Sequence, residues 1–258
     1  MGEFDLIERF FKRPPRKADV GIGDDCAVWS PRAGHQLAFS ADMLVEGRHF
    51  LSTVEPSRLG HKALAVNLSD LAACGATPEA FLLSLSLPRA DEPWLSGFSQ
   101  GLFQLADAHG CELVGGDTTQ GPLNICITVF GEVPAGMALL RSGARPGDDI
   151  YVSGTLGDAR LALEALLDHT PLPADVLARA RQRLERPTPR VALGLALRGV
   201  ASSAMDVSDG LLGDLSHILK ASGVGARIDT HITSKMIAAS AYPSGAGAIF
   251  DAELIRQC

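Results

Sequence analysis

Apolar residues recur along the first half of the chain in two ways, at helical spacing and in short continuous runs. The helical spacing predicts helices over residues 3–12, 56–74 and 92–108, because one face of each segment can then be buried. Pro56 and Gly75 mark the start and the end of the second helix. The short runs predict strands over residues 27–29, 36–43, 81–87, 112–114 and 124–133. Together these helices and strands indicate a first domain that mixes α and β structure.

A second group of elements follows a stretch rich in Gly, Pro and Arg. Helices are predicted over residues 156–167, 174–184, 190–198 and 211–221, and strands over residues 149–153, 203–207 and 225–229. Helices and strands do not alternate strictly, so the predicted fold class is α+β with two domains rather than a doubly wound sheet. The predicted division is an N-terminal α/β domain (1–135), a linker (136–148), a partial C-terminal α+β domain (149–229) and an atypical Ala/Ser-rich tail (230–258).

The formal net charge of −7 argues against nucleic acid or an anionic membrane as the main partner. A protein of this charge that handles phosphate groups needs metal cations to do so. The five cysteines are odd in number and lack a CxxC pair, which argues against a disulfide framework or a structural zinc site. No secretory signal and no apolar stretch near the roughly 20 residues of a membrane span is visible. We therefore expect a soluble protein of the reducing cytoplasm.

Six aspartates are candidates for metal binding. Asp70 falls on the apolar stripe of the second helix, where a carboxylate needs a partner. The partner of Asp70 is either a buried Arg or Lys or a metal ion. Few basic residues occur in the segments around the candidate aspartates, which favours the metal. Each of the other five is also explained by ordinary turn chemistry, and Asp209 could cap the helix that begins at Leu211. These five follow apolar runs and lie beside Gly or one turn from it: Asp25, Asp42, Asp117, Asp206 and Asp209.

The aspartates form one site only if their loops converge, which is a hypothesis at this level. Carboxylates a few ångströms apart repel by several kcal/mol at an effective dielectric constant of about 20, so divalent cations would have to lie between them. All-oxygen ligands suit Mg²⁺, which prefers one or two carboxylates together with substrate phosphates and water. The sequence has no HExxH, no clustered His and Cys and no EF-hand loop, which argues against zinc and calcium.

The sequence lacks both common ATP-binding signatures, the GxxxxGK[ST] loop and the protein-kinase catalytic loop. Gly-rich segments at 115–118 and 153–158 are predicted to form turns after strands, where backbone N–H groups can approach phosphate oxygens. Ordinary tight turns look the same, so this signal is weak. Arg141 could give planar donors to a nucleotide phosphate or be a solvated linker residue. His49 is a candidate ligand contact or a structural loop residue.

Six motifs occur in order along the chain and together resemble thiamine-monophosphate kinase, a family of the aminoimidazole-ribonucleotide synthetase-like superfamily. The resemblance covers about Gly2 to Asp229. The motifs are Gly-Ile-Gly-Asp-Asp-Cys-Ala-Val (21–28), Phe-Ser-Ala-Asp-Met-Leu-Val-Glu-Gly-Arg-His-Phe (39–50), Lys-Ala-Leu-Ala-Val-Asn-Leu-Ser-Asp-Leu-Ala-Ala-Cys-Gly-Ala (62–76), Gly-Gly-Asp-Thr-Thr (115–119), Arg-Ser-Gly-Ala-Arg-Pro-Gly-Asp (141–148) and Asp-Val-Ser-Asp-Gly-Leu (206–211).

The resemblance implies two α+β domains, a homodimer formed largely through the N-terminal domain, and direct transfer of the γ-phosphoryl group of ATP to thiamine monophosphate. It implies neither a covalent enzyme intermediate nor a catalytic general base. His49 resembles a contact to thiamine monophosphate. Positions that resemble nucleotide contacts are Gly116, Asp117, Arg141 and Ser208. Positions that resemble magnesium ligands are Asp25, Ser40, Asp42, Asp70, Asp117, Asp206 and Asp209.

The chain departs from the family pattern at two places. Ala41 stands where the family usually has a Thr hydroxyl that binds metal. The family also continues past Asp229 to a Gly-Gly-Glu-Asp-Tyr-Glu-Leu segment that this chain lacks. Residues 230–258 resemble nothing at that position, so we expect a truncated or frameshifted C-terminus and predict that another reading frame after Asp229 encodes the missing motif. The alternatives to an active kinase are a non-catalytic nucleotide-binding or dimerisation remnant, and another ATP-using member of the superfamily.

Overall fold

The computed structural model describes residues 2–229, and these form two compact units. Unit 1 contains the chain up to Ala138 together with Glu185–Arg198, and unit 2 contains Leu139–Leu184 and residues 199–229. The predicted tail, residues 230–258, lies outside the described residues.

The predicted helices are all found in the described part of the chain, with ends that agree within two residues. They are α1 (Glu3–Phe10), α2 (Pro56–Ala73), α3 (Glu92–Ala108), α4 (Asp158–Leu166), α5 (Ala174–Glu185), α6 (Val191–Ala196) and α7 (Leu211–Ser222). None of these helices is both long enough and apolar enough to cross a membrane. The strands are β1 (His35–Val45), β2 (Thr77–Leu87), β3 (Glu112–Gln120) and β4 (Asn124–Pro134).

The strands of unit 1 form one sheet in the order β1-β4-β2-β3. β4 runs antiparallel to both β1 and β2, whereas β2 and β3 are parallel and are joined through α3. α2 and α3 supply most of the helical core residues, and the alternate strand residues that pack with them are fully buried, among them Phe81, Ile127 and Val129. The opposite, open face of the sheet keeps Phe39 72% exposed and Met43 55% exposed. The core therefore lies on one side of the sheet.

Local chemistry fixes where the two long helices begin and how closely they pack. The Glu55 carboxylate accepts the N–H groups of Ser57 and Arg58 at the start of α2, and Asp91 accepts the Trp94 N–H at the start of α3. Glycines in both helices face the main chain of the other helix. A methyl group on Gly60 would overlap the Phe98 carbonyl oxygen, and one on Gly101 would overlap that of Ser57. The absence of side chains at these two positions allows the close approach.

The predicted turn at residues 115–118 is wrong, because these residues continue strand β3 to Gln120. Gly116 has a φ of 144°, and a Cβ atom there would overlap the Leu83 carbonyl oxygen of the neighbouring strand. The pairing of β2 with β3 shifts register between Phe81 and Leu82. The glycines thus permit a bulge and a close strand approach rather than a turn.

The strands predicted for the second domain are also wrong for the residues that the structure describes. No strand forms at residues 149–153, 203–207 or 225–229 of the second domain. In the first domain, the strand predicted over residues 27–29 is also wrong, because this segment makes only an isolated bridge between Val20 and Val28. A strand is defined by a ladder of hydrogen bonds with a partner. Residues 203–207 make an isolated backbone bond instead, from the Ala204 N–H to the Leu140 carbonyl.

Candidate functional site

A concavity of about 1320 Å³ lies in unit 1, between the open face of the sheet and the N-terminal segment that precedes β1. Asp25, Gly116 and Asp117 all line it, together with Ser84 and Thr128 of the sheet. Three residues singled out from the sequence are therefore brought to one cavity wall, although more than 90 positions separate Asp25 from Asp117. Both carboxylates are exposed, so an incoming ligand can reach them.

A second group of predicted residues lies on the helix-covered side of the sheet. The Ser40 hydroxyl of β1 donates to Asp70 Oδ2 of α2 at 2.6 Å. The Asp42 N–H donates to Asn67 Oδ1 at 3.1 Å, and buried Asn67 in turn donates to the Ala63 carbonyl. A serine hydroxyl is thus one partner of Asp70.

The alternation of strand residues separates these two groups. Asp42 lies in the row of Ile127 and Leu83, which is buried under the helices, whereas Asp117 pairs with exposed Ser84. Within residues 2–229, no three His, Cys, Asp or Glu side chains are grouped closely enough to hold a metal ion. The oxygen donors of the cavity wall nevertheless fit Mg²⁺, because this ion commonly takes only one or two carboxylates and completes its shell with phosphates and water.

His49 lies exposed in the loop after β1, and its ring faces back on its own backbone. Its Nδ1 accepts the Val45 N–H at 3.0 Å, so the neutral ring carries its proton on Nε2. The Lys62 ammonium of α2 donates to the His49 carbonyl at 2.9 Å. Burial lowers the pKa of Lys62, and the nearby charge of Glu185 partly opposes that effect. The loop that presents His49 is therefore tied to α2 by a half-buried cation.

The remaining predicted residues lie in unit 2. Asp206 is half-buried and Ser208 and Asp209 are exposed, in the loop that leads into α7. Asp209 does not cap this helix, because its N-cap is Gly210 and makes no side-chain cap bond. Arg141 is exposed, and its carbonyl accepts the Ser222 hydroxyl at 3.1 Å.

Three buried glutamates that sequence reasoning missed hold the segment that carries Asp25. Glu112, at the start of β3, accepts the backbone N–H groups of residues 16–18 at 2.7–3.2 Å. Glu132 of β4 accepts the Arg32 N–H at 2.9 Å, and Glu79 of β2 binds both Lys17 Nζ and Arg32 Nη2. A single acid inside an apolar strand is the signal that could have revealed each of them. We call these three residues the acid clamp.

Comparison with known proteins identifies both halves of the chain. Residues 23–133 match the family model for the N-terminal domain of AIR synthase related proteins, and residues 145–253 match the model for the C-terminal domain of the same proteins. The second match includes most of the residues predicted to form an atypical tail.

Individual relatives are similar over most of this chain. The thiamine-monophosphate kinases of Salmonella typhimurium and Escherichia coli K12 are each 50% identical, over 91% and 88% of this chain and 73% and 71% of their own lengths. The crystal structure of thiamine-monophosphate kinase from Stenotrophomonas maltophilia superposes with a TM-score of 0.76 at 48% identity, over 85% of this chain and 71% of that one. AaThiL, solved in complex with AMPPCP and TMP, superposes with a TM-score of 0.70 at 36% identity, over 75% and 63%.

Proposed function

We propose that this chain, which belongs to the thiamine-monophosphate kinase family, transfers the γ-phosphoryl group of ATP to thiamine monophosphate and forms thiamine diphosphate. The observation that carries the proposal is the convergence of Asp25, Gly116 and Asp117 on one concavity of unit 1. Relatives at 50% identity carry the name of this activity. AaThiL, at 36% identity, is solved with AMPPCP and TMP, which supports these two substrates.

The residues of this chain act by positioning and by balancing charge. Phosphoryl transfer of this kind needs no covalent enzyme intermediate, so the protein's task is to align donor and acceptor and to offset the charge of the phosphates. A chain of net charge −7 needs cations for that task. Mg²⁺, when bound, would neutralise phosphate charge and act as a Lewis acid. Asp25 and Asp117 would hold it on the cavity wall, and exposed Gly116 leaves the backbone beside them open to a phosphate oxygen.

The other predicted ligands have supporting roles in this proposal. Ser40, Asp42 and Asp70 form the second oxygen group of unit 1, and Asp206 and Asp209 offer further carboxylates in unit 2. Arg141 and Ser208 of unit 2 are the proposed nucleotide contacts, because they match nucleotide-binding positions of the family, and both are exposed. The Nε2 proton of His49 remains available as a donor to thiamine monophosphate, because Nδ1 is occupied by the Val45 N–H.

A homodimer through the β1 edge of the open face is part of the same proposal. Phe39 and Met43, which do not line the concavity, are 72% and 55% exposed on the open side of β1. Such a row of exposed apolar side chains is typical of an association surface. A cytoplasmic location fits Cys26, Cys74, Cys111 and Cys126, which form no disulfide, since disulfides are rare in that compartment.

The decisive experiment measures thiamine diphosphate formed from thiamine monophosphate, ATP and Mg²⁺, with a chelator as control. We expect product that disappears on chelation, and an Asp117→Asn variant that needs at least about tenfold more Mg²⁺ for the same rate. Asp175→Asn, an exposed charge on α5, is the matched control and should behave like the unaltered chain. Binding of MgATP without product would instead identify a nucleotide-binding remnant. ATP consumption only with another acceptor would point to a different activity within the superfamily.

A further inference from the structure

A buried carboxylate with no assigned role lies directly behind the loop of residues 206–210. Asp214, on the first turns of α7, is 3% exposed. Its Oδ2 accepts three consecutive backbone N–H groups, those of Ser208 at 2.9 Å, Asp209 at 3.1 Å and Gly210 at 3.1 Å. One carboxylate oxygen thus determines the path of three residues in a row.

This bonding dictates which groups the loop can offer to a ligand. The three N–H groups point inward to Asp214, so they are not free to bind a phosphate oxygen as they would in a backbone phosphate cradle. Ser208 and Asp209 themselves are exposed. Gly210, whose N–H is the third donor, has a φ of 121°, which side-chain-bearing residues rarely adopt.

We propose that Asp214 is a positioning residue for nucleotide binding, which fixes Ser208 and Asp209 in the arrangement that MgATP requires. This inference rests on the proposed function, because it takes Ser208 and Asp209 as contacts to the nucleotide and its metal. Asp214 acts through the loop and not by touching the substrate. The loop recognises its ligand with side chains, and its backbone serves only to hold them in place.

The direction of the effect separates positioning from simple electrostatics. Asp214→Asn removes one negative charge near the proposed binding site of an anionic nucleotide, so electrostatics alone predicts tighter binding. Positioning predicts the opposite, because a neutral amide oxygen is a weaker acceptor than the carboxylate oxygen that now holds all three N–H groups. Three backbone hydrogen bonds would then weaken together, and the loop would no longer be held on its present path.

The test measures the Kd for MgATP by calorimetry, and the KM values for ATP and for thiamine monophosphate, on full-length protein. We expect Asp214→Asn to raise the Kd and the KM for ATP by about tenfold or more while the KM for thiamine monophosphate stays within about twofold. Val176→Ala, a buried apolar truncation in unit 2, is the control for stability. It should lower the unfolding midpoint without changing the Kd. Lys220→Ala, an exposed charge on α7, is the control for charge.

Each outcome decides the inference. An Asp214→Asn variant with an unchanged or lower Kd overturns it, and so does a Val176→Ala variant that loses MgATP affinity to the same extent. If the unaltered chain binds MgATP but forms no thiamine diphosphate, the proposed function fails, while the inference on Asp214 is still decided by the Kd values alone. An unaltered chain that does not bind MgATP overturns both.

Discussion

Replacing Glu112 by Gln tests whether the acid clamp holds the N-terminal segment on the sheet. The Glu112 carboxylate is 6% exposed and receives the N–H groups of Arg16, Lys17 and Ala18, as well as Arg16 Nε at 3.3 Å. Glutamine keeps one acceptor oxygen and turns an NH₂ group toward these donors. The substitution is nearly isosteric, so it removes charge and hydrogen bonds with little change in packing volume.

The magnitude follows from the bonds that are lost. A hydrogen bond to a charged group contributes about 1.5–3 kcal/mol, and a buried donor without a partner costs about 1–3 kcal/mol. Loss of one or two of the three backbone bonds therefore lowers the free energy of unfolding by about 2–4 kcal/mol. For a unit of this size each kcal/mol shifts the unfolding midpoint by about 2–4 °C, which gives a decrease of about 4–16 °C.

Differential scanning calorimetry and amide hydrogen exchange together provide the assay. We expect a lower midpoint and faster exchange of the amides in residues 16–32, which include the loop of Asp25. Glu92→Gln is the matched control, because the Glu92 pair with Arg9 is about half exposed on both sides and should contribute less than about 1 kcal/mol. The reasoning is refuted if Glu112→Gln leaves both the midpoint and the exchange of this segment at the values of the unaltered protein.

Three further predictions concern other parts of unit 1. Gly101→Ala should lower the unfolding midpoint strongly, because its methyl group overlaps the main chain of α2; Gly213→Ala, which has open space around it, should not. Burial lowers the pKa of His61 in the folded protein below its value of about 6.5 in the unfolded chain, so the stability that His61 contributes above that pH is lost as the pH falls through the folded pKa. His61→Gln should therefore make the unfolding midpoint depend less on pH between about pH 8 and about pH 5. Midpoints of the two proteins that change in parallel with pH would contradict this. Lys62→Met removes the hydrogen bond that ties the His49 loop to α2, so it should raise the KM for thiamine monophosphate about two- to tenfold and leave the KM for ATP unchanged. Equal changes in both constants would show that the Lys62 bond does not act through His49.

The helices were predictable from the sequence because their signals are local. Glu55 and Pro56 mark the start of α2, Asp91 marks that of α3, and the apolar period covers the residues between start and end. The glycines of β3 led to a wrong prediction of a turn, because glycine is needed there for contact with a different strand. Gly116 is required by the Leu83 carbonyl of another strand, and nothing in the residues around it distinguishes a close approach from a turn.

The candidate site was predictable only as a set of residue types. The sequence indicates that Asp25, Asp70 and Asp117 are special, but it does not show which face of the sheet each occupies. That depends on the register of β1 with β4 and of β2 with β3, which is set by the folded sheet. Ser40 binding to Asp70 was missed for the same reason, since a helix and an edge strand meet there across 30 positions of sequence.

Burial and bonding divide the carboxylates of this chain into two classes that sequence does not separate. Glu112 and Asp214 are buried and each accepts three consecutive backbone N–H groups, which compensate the charge and leave no need for a metal. Asp25 and Asp209 are exposed in the loops that these two acids hold. A chain with a net charge of −7 can thus use some acids as internal anchors and keep others at the surface for a cation. Because both classes are Asp and Glu beside Gly or apolar residues, only the partner of each carboxylate shows its class, and substitution of an anchor should disturb ligand binding without removing a ligand.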